Sequence, residues 1–548
     1  MTADRSGIPK SVYAAVCQSV SEFSSRPFLH IPAICCHSYH DGPLDLDYQG
    51  LGQQVEAQRE LYHAAGYRCG HRVALLLENR PDFFIHWFAL NALGVSVVPI
   101  NGEMAGDEIA YLLWHSESCL GVSVASKHAA FQQAANSRNL PLPIVSVLDT
   151  IPPAPPTEGQ TAIDEHNECA LLYTSGSTGK PKACILNNEY FLYAGSWYRD
   201  LGGLCHLETG VERLLTPLPL VHMNAMACST MSMLMTGGCI VQLDRFHPSS
   251  WWDTVRKSGA TVVHYLGLLP AMLLNMDCRS DEDFSTQLKF GFGAGVNPAH
   301  HAAFEDRFGF PLIEAWAMTE SGAGGAVIAN REPRHVGTCC FGKAPATLEY
   351  RLLDEQGEDV EAGEQGELLV RAAGDDPWRG FFSGYLKNDQ ANAETLAGGW
   401  LHTGDVVRVG EDGSMYFVDR RKNVIRRSGE NISALEVEAV MSQSSIVDNV
   451  VVIPVPDEIR GDEVFAAVVT IPDFEGSEQL AIQLFRHCYD LLAYYKTPAY
   501  ISFVDQLPLT ASGKPQRGEL KKLARKWLEQ GACFDLRQHK RRQAKATG

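Results

Sequence analysis

The sequence predicts an α/β protein: a large N-terminal domain of several subdomains, with parallel-rich sheets and helices, followed by a small α+β C-terminal domain. Three observations carry that prediction. Short β-branched runs alternate with helical patterns over the first three quarters of the chain, which is the rhythm of parallel strands joined by helical crossovers. A different pattern starts beyond the charged run Asp419-Arg-Arg-Lys-Asn423. The length of 548 residues corresponds to about three or four structural units at roughly 150 residues each. A composition 45% apolar and 20% charged is that of an ordinary core-forming chain.

Taken in order, Val73 to Leu77 reads as a strand, Pro81 to Leu93 as a helix, Val95 to Ile100 as a strand and Asp107 to Ser116 as a helix. Residues 83–100 are the most apolar stretch, but His86, Asn91, Gly94 and Ser96 interrupt them. A buried helix running into a buried strand is expected, with no stable membrane insertion. Ile151-Pro-Pro-Ala-Pro-Pro156 reads as a stiff connector between subdomains. After Thr403-Gly-Asp405, a turn at Glu411-Asp-Gly413 leads into the charged run. Beyond it the expected order is helix (Leu435 to Met441), strands (Val450 to Val455, Val464 to Ile471), helix (Gln479 to Leu492), strand (Ile501 to Val504) and helix (Arg517 to Leu528). This second domain, residues 422–548 after a first of 1–421, has a normal size of about 125 residues. From Lys521 onward nine Lys/Arg face Glu529 and Asp535; a solvated helix end with a frayed terminus is expected there.

The charge balance, 46 Lys+Arg against 65 Asp+Glu and a net −19, argues against nucleic acid as a partner, because backbone binding needs clustered cations. The opening MTADRSGIPK has acid and turn residues where the apolar core of a secretory signal would follow, so a cytoplasmic protein is expected. The 15 cysteines are scattered, and the pairs Cys35/Cys36 and Cys339/Cys340 lack CxxC spacing; reduced, mostly buried thiols are expected. Oligomeric state is not written in the sequence, and a homodimer is compatible with it.

Five segments could carry chemistry. Leu171-Leu-Tyr-Thr-Ser-Gly-Ser-Thr-Gly-Lys-Pro-Lys182 leads an apolar run into a loop of hydroxyl and glycine residues closed by lysines, a composition suited to wrapping donors around phosphate oxygens. It is no Walker A loop, since each Gly-Lys pair is followed by Pro or Ala. Gly291-Phe-Gly-Ala-Gly-Val296 fails the dinucleotide spacing, because Val296 stands where the third glycine belongs; a glycine-lined strand end approached by a flat ring remains open. In Glu314-Ala-Trp-Ala-Met-Thr-Glu320, Trp316 offers a stacking face while Thr319 and Glu320 offer a hydroxyl and a hard carboxylate suited to Mg²⁺. Asp405 could hold the vicinal hydroxyls of a ribose, although turn aspartates are common. Leu509-Thr-Ala-Ser-Gly-Lys-Pro515 places Lys514 on a small-residue loop, either an inserted cation or a solvated turn. Each segment alone has a structural explanation.

In this order the five segments resemble the adenylate-forming superfamily of acyl- and aryl-CoA synthetases, peptide-synthetase adenylation domains and firefly luciferase, over about Pro27 to Arg525. The run Ile425 to Ile432 with Pro456 to Asp462 looks most like the carnitine and crotonobetaine CoA-ligase subgroup. The resemblance implies a C-terminal domain that is a mobile lid, hinged near Lys422. It implies ATP, Mg²⁺, coenzyme A and a small-molecule carboxylic acid as cofactor and substrates. Thr174, Ser175, Gly176, Ser177, Thr178 and Lys182 carry over to triphosphate binding, with Ala183 in place of the usual glycine. Gly293, Ala294 and Gly295, and Glu314, Ala315, Trp316, Ala317, Met318 and Thr319, carry over to the adenylate, Trp316 replacing the usual stacking tyrosine. Thr174 and Glu320 carry over to the metal, Asp405, Val418 and Arg420 to ribose and phosphate, and Ser428, Gly429 and Glu430 to the thiol channel. Lys514 carries over as the cation of adenylation, and His222 as the histidine of the acyl pocket, near Trp197, Tyr198, Met223, Tyr265 and Gly267.

The expected activity is ATP-dependent acyl-CoA ligation through an acyl adenylate. Carboxylate attack on a phosphate brings two anions together, so the catalysis is asked of cations and preorganised donors rather than of a serine or histidine nucleophile. Two alternatives stay open: delivery of the acyl group to a carrier protein, and a non-catalytic nucleotide-binding relative.

Overall fold

The computed structural model describes residues 9–540 apart from 105, 159–161, 175–180, 278–282, 355, 362, 421–422, 428–429, 458–459, 493 and 510–514. The chain divides into two compact units: Met1–Val296, His300–Tyr350 and Leu369–His402 form one, and Asn297–Ala299, Arg351–Leu368 and Thr403–Gly548 the other.

The first unit holds two parallel-rich sheets. In one, the strands Ile144–Ser146, Leu120–Ser123, Arg72–Leu76, Ser96–Pro99 and Glu168–Thr174 run parallel, and Lys182–Asn187 closes the edge antiparallel. The other places Leu312–Trp316, Phe290–Gly293, Val262–His264, Arg213–Thr216, Cys239–Gln242 and Pro27–Ile31 in parallel order, with short antiparallel strands at both edges. Thr174, Gly293 and Trp316 each end a parallel strand, the end at which open α/β sheets bind ligands.

The helix Pro81–Asn91 buries Phe83, Phe84, Trp87, Phe88 and Leu90, so almost no face of it is polar. Among the described residues no helix is long and apolar enough to cross a membrane. His86 sits inside this helix with Nδ1 2.7 Å from the Tyr62 hydroxyl, and burial pushes its pKa down to about 4. An unfolded histidine takes its proton near 6.5. The unfolded chain therefore binds more protons between those values, so this contribution is full above 6.5 and lost as pH falls towards 4. The urea midpoint is expected to drop from about pH 7 to about pH 5 more steeply for the wild type than for His86→Phe; equal slopes would contradict this.

In the second unit, Ser414–Arg420 pairs antiparallel with Asp405–Val409. The rest is a sheet centred on Gly461–Thr470, flanked by Val447–Asp457 and Tyr500–Phe503, with the helices Ala434–Met441, Glu478–Leu491 and Arg517–Gln530. Val450 and Val452 face the first two helices, while Val451, Ile453 and Val455 face Leu520 and Ala524 of the third. A strand covered on both faces reads as a continuous apolar run, as Val450 to Val455 does.

The tail is tied down as far as Lys540, and residues 541–548 lie outside the described residues. Phe534–Asp535 pairs as a strand with Tyr500–Phe503, and Lys540 is buried with its ammonium 2.8 Å from Glu463. Glu463 also takes the Arg427 guanidinium at 2.6 Å. Basic residues that composition alone assigns to solvent are thus partly consumed by one buried carboxylate. The described cysteines are all free and most are buried, as expected.

Candidate active site

The phosphate-loop segment is a hairpin. Glu168–Thr174 and Lys182–Asn187 pair antiparallel with Thr174 opposite Lys182, so the two strands bracket the loop. Ser175, Gly176, Ser177 and Thr178 lie outside the described residues. Ala183, where the family has glycine, is fully buried in one core with Leu171 and Leu386. The Lys182 ammonium lies 4.7 Å from the centre of the Tyr385 ring, on the edge of a cavity of about 330 Å³ that Trp114, His115 and Lys387 also line.

Glu320 is the group that ties these pieces together. It follows Leu312–Trp316 through a turn and is buried. Its Oε1 accepts the Tyr385 hydroxyl at 2.8 Å and the Thr174 hydroxyl at 3.4 Å. Burial, then the Glu320 charge, holds the Tyr385 hydroxyl protonated, and the same two causes hold up the Cys184 thiol. Neutral donors keep the carboxylate in place without cancelling its charge, which leaves a hard anionic oxygen beside the phosphate-loop hairpin. A carboxylate with a threonine hydroxyl is an all-oxygen donor set that fits Mg²⁺. The backbone of the turn is fixed from outside: the Tyr190 hydroxyl donates to the Thr319 carbonyl at 3.0 Å. A Cβ on Gly322, whose φ is +52°, would come within 2.2 Å of the Gly380 carbonyl, so only glycine fits there.

Glu314 holds its neighbours in place. Its oxygens accept the N–H groups of Gly295 (2.9 Å) and Val296 (3.1 Å) and the Tyr265 hydroxyl (2.9 Å). Burial raises its pKa, and the three donors oppose that rise. It moors the loop after Phe290–Gly293, where Ala294 and Gly295 are exposed. The glycines of this region serve close packing: a Cβ on Gly293 would lie 2.3 Å from the Tyr265 carbonyl, and one on Gly267 1.7 Å from the Gly295 carbonyl. Trp316 is buried with its ring 6.1 Å from Phe341, Ala317 is exposed, and Ala315, Met318 and Thr319 are half-buried. His222 is exposed at the start of a helical segment that opens with a π-turn, Asn224–Ser229.

In the second unit, Asp405 and Arg420 are cross-strand neighbours with Arg420 Nε 2.7 Å from Asp405 Oδ1. The Arg420 guanidinium also donates to the Thr403 carbonyl at 3.3 Å, so a buried carboxylate arrives already paired. The Val418 carbonyl accepts the Ser433 hydroxyl at 2.7 Å. Asp419 accepts the N–H groups of Arg420 (2.7 Å) and Ala434 (2.8 Å), anchoring the charged run at the N-terminus of Ala434–Met441, where a negative charge is favoured. Glu430 lies in the hairpin of Ile425–Arg427 with Glu430–Ile432. Lys422, Ser428, Gly429 and Lys514 lie outside the described residues.

Sequence reasoning missed Tyr385 and Asp419. Tyr385 has no local signal, since Ser383-Gly-Tyr-Leu386 matches no phosphate or metal pattern; Asp419 stood in a run from which only Arg420 and Lys422 were given roles. Among the described residues one mixed group of metal-ligand types converges elsewhere, Cys35, Asp244 and His247. Its members satisfy one another: His247 Nε2 is 2.7 Å from Asp244, and burial together with Asp244 pushes the Cys35 thiol up to about 12.

Two family models, curated relatives and solved structures resemble this chain. The AMP-binding enzyme family matches residues 29–386, and the AMP-binding enzyme C-terminal domain matches residues 436–514. A crotonobetaine/carnitine–CoA ligase of Shigella sonnei is 29% identical over 513 residues, covering 90% of this chain and 96% of the relative. Among solved structures, o-succinylbenzoate CoA synthetase of Bacillus subtilis superposes with a TM-score of 0.78 at 24% identity, over 92% of this chain and 97% of that one. The anthranilate CoA ligase AuaEII gives 0.79 at 23% identity, over 94% and 98%. The first match spans most of the chain, including the phosphate-loop hairpin, Trp316, Glu320 and Tyr385, and the second reaches Lys514: the chain belongs to the AMP-binding enzyme family.

Proposed function

We propose that the protein is an ATP-dependent acyl-CoA ligase. A carboxylate oxygen attacks the α-phosphorus of ATP, the bond to the β-phosphate oxygen breaks, and pyrophosphate leaves with the electron pair; the thiol of coenzyme A then displaces AMP from the acyl carbon and loses its proton to solvent. One observation carries the reading: the buried Glu320 carboxylate is held by Thr174 and Tyr385 at the mouth of the phosphate-loop hairpin. The relatives are CoA ligases, and the two solved neighbours were captured with their own acyl adenylates.

Glu320 and Thr174 would hold Mg²⁺, which supplies charge neutralisation on the phosphates when bound. The phosphate-loop residues Ser175 to Thr178 would donate to the triphosphate, Trp316 would bear on the adenine, and Asp405 with Arg420 would take the ribose. Residues 422–548 would act as a lid pivoting near Lys422, with Lys514 serving adenylation and Ser428 to Glu430 the thiol step. Free thiols and the absence of a spanning helix among the described residues support a cytoplasmic setting.

The test is a panel of fatty, aromatic and betaine-type acids read by coenzyme A-dependent AMP release. At least one acid is expected to release AMP and thioester in equal amounts; pyrophosphate exchange without thioester would shift the reading to a carrier-protein acceptor. No acid-dependent exchange at all would defeat it.

A further inference from the structure

Behind the strand end that carries Gly293, a polar cluster is sealed inside an aromatic wall. His264, last residue of Val262–His264, is fully buried. Its ring packs against Phe292 (4.9 Å between centres) and Tyr198 (5.6 Å), which themselves stack at 4.8 Å. Both ring nitrogens are engaged: Nε2 lies 2.9 Å from the Tyr198 hydroxyl, and Nδ1 lies 2.7 Å from Asn224 Oδ1 and 2.9 Å from Ser229 Oγ. Burial pushes the His264 pKa down to about 3, so the ring is neutral, with one N–H and one lone pair. Asn224 Oδ1 only accepts; the N–H therefore belongs on Nδ1, and Nε2 accepts from Tyr198.

The two residues that His264 grips are the first and last of the π-turn Asn224–Ser229. Such wide turns are rare and recur at functional sites. This one is tied twice more by hydroxyls five residues on: Ser229 Oγ donates to the Asn224 carbonyl at 3.0 Å, and Thr230 Oγ1 to the Ala225 carbonyl at 2.8 Å. His222 and Met223 precede it directly, and the His222 carbonyl accepts the Met226 N–H at 3.0 Å. The position of these two side chains thus depends on a turn that the backbone alone does not favour.

We infer that His264 is a positioning residue for the acid pocket: through Asn224 and Ser229 it holds the π-turn that sets His222 and Met223 in place. This rests on the acyl-CoA ligase reading for what the pocket holds, and on geometry alone for what His264 does to the turn. His264 is fully buried with its ring nitrogens spent on Tyr198, Asn224 and Ser229, so its loss is expected to act on the acid through the turn and to spare ATP.

Full-length His264→Phe keeps an aromatic ring and removes the contacts of both ring nitrogens, to Tyr198, Asn224 and Ser229; His264→Gln restores a donor and an acceptor. Each is measured by acid-dependent ATP–pyrophosphate exchange and by hydrogen exchange over residues 219–230. His264→Phe is expected to raise the KM for the acid by about tenfold or more, since small misplacements of a binding group have large effects, with the KM for ATP within about twofold. His264→Gln should recover most of the loss, and amide exchange should accelerate only across the π-turn. Parallel rises in both KM values with a general fall in Tm, or an unchanged acid KM, would overturn the inference; so would unchanged exchange at the turn. If the wild type shows no acid-dependent activity, the ligase reading fails while the amide-exchange arm still decides the role of His264. Should His264→Phe not fold, Tyr198→Phe, which removes one of the bonds, is read the same way, with smaller shifts in the same direction expected and none overturning the proposal.

Discussion

Lys514→Ala is expected to slow acyl-adenylate formation by about 10²–10³, the usual effect of removing one preorganised charge from a site where negative charge develops. The expectation comes from the chemistry: an ionised acid approaches a triphosphate, and pyrophosphate carries away further charge. Thioester formation from supplied acyl adenylate and coenzyme A should be nearly unaffected, because by then pyrophosphate has gone and the nucleophile is a thiol. Acid-dependent pyrophosphate exchange reads the first half-reaction, and thioester release from the synthetic adenylate reads the second. Equal losses in both would show that Lys514 supports the fold or both steps, and the division of labour assigned to the C-terminal domain would be wrong.

Glu320→Gln should have an effect of similar size through a different route. Glutamine keeps the shape and an acceptor oxygen, so the hydroxyls of Tyr385 and Thr174, now at 2.8 and 3.4 Å from Oε1, retain a partner. What disappears is the anionic oxygen. A hard divalent cation is bound mainly by charge, so adenylation should fall by about 10²–10³ at low Mg²⁺ and recover in part as Mg²⁺ is raised. The Tm should stay close to that of the wild type, because neither packing nor hydrogen-bond count changes. A variant with normal Mg²⁺ dependence would remove Glu320 from the metal; one that merely unfolds would make it a structural carboxylate.

The fold was legible where periodicity is strong. The strands and helices expected between Val73 and Ser116 appear within a residue or two at Arg72–Leu76, Pro81–Asn91, Ser96–Pro99 and Gly106–Ser116, because short apolar, β-branched strand runs alternate there with longer helical patterns. The C-terminal order was legible for the same reason. The hairpin of Ile425–Arg427 with Glu430–Ile432 and the strand Phe534–Asp535 were not, since two or three residues carry no period and owe their strand geometry to the neighbour they pair with. The burial of Lys540 was illegible for a related reason: a lysine's charge says exposed until a carboxylate such as Glu463 is buried beside it.

For the candidate site, the sequence by itself determined the residue types: a hydroxyl and glycine loop, a Thr-Glu pair, an aspartate after Thr-Gly and a lysine on a small-residue loop, in an order that one family shares. Chain order and side-chain chemistry are local properties, and they need no coordinates. Only the tertiary structure decided which of these groups share partners. It brought Tyr385 to Glu320, spent Glu314 on mooring the Gly295 loop, paired Asp405 with Arg420, and hung a π-turn from a histidine 40 residues away in sequence. Those choices belong to burial, where each polar atom removed from water must find a donor or acceptor wherever the fold happens to place one.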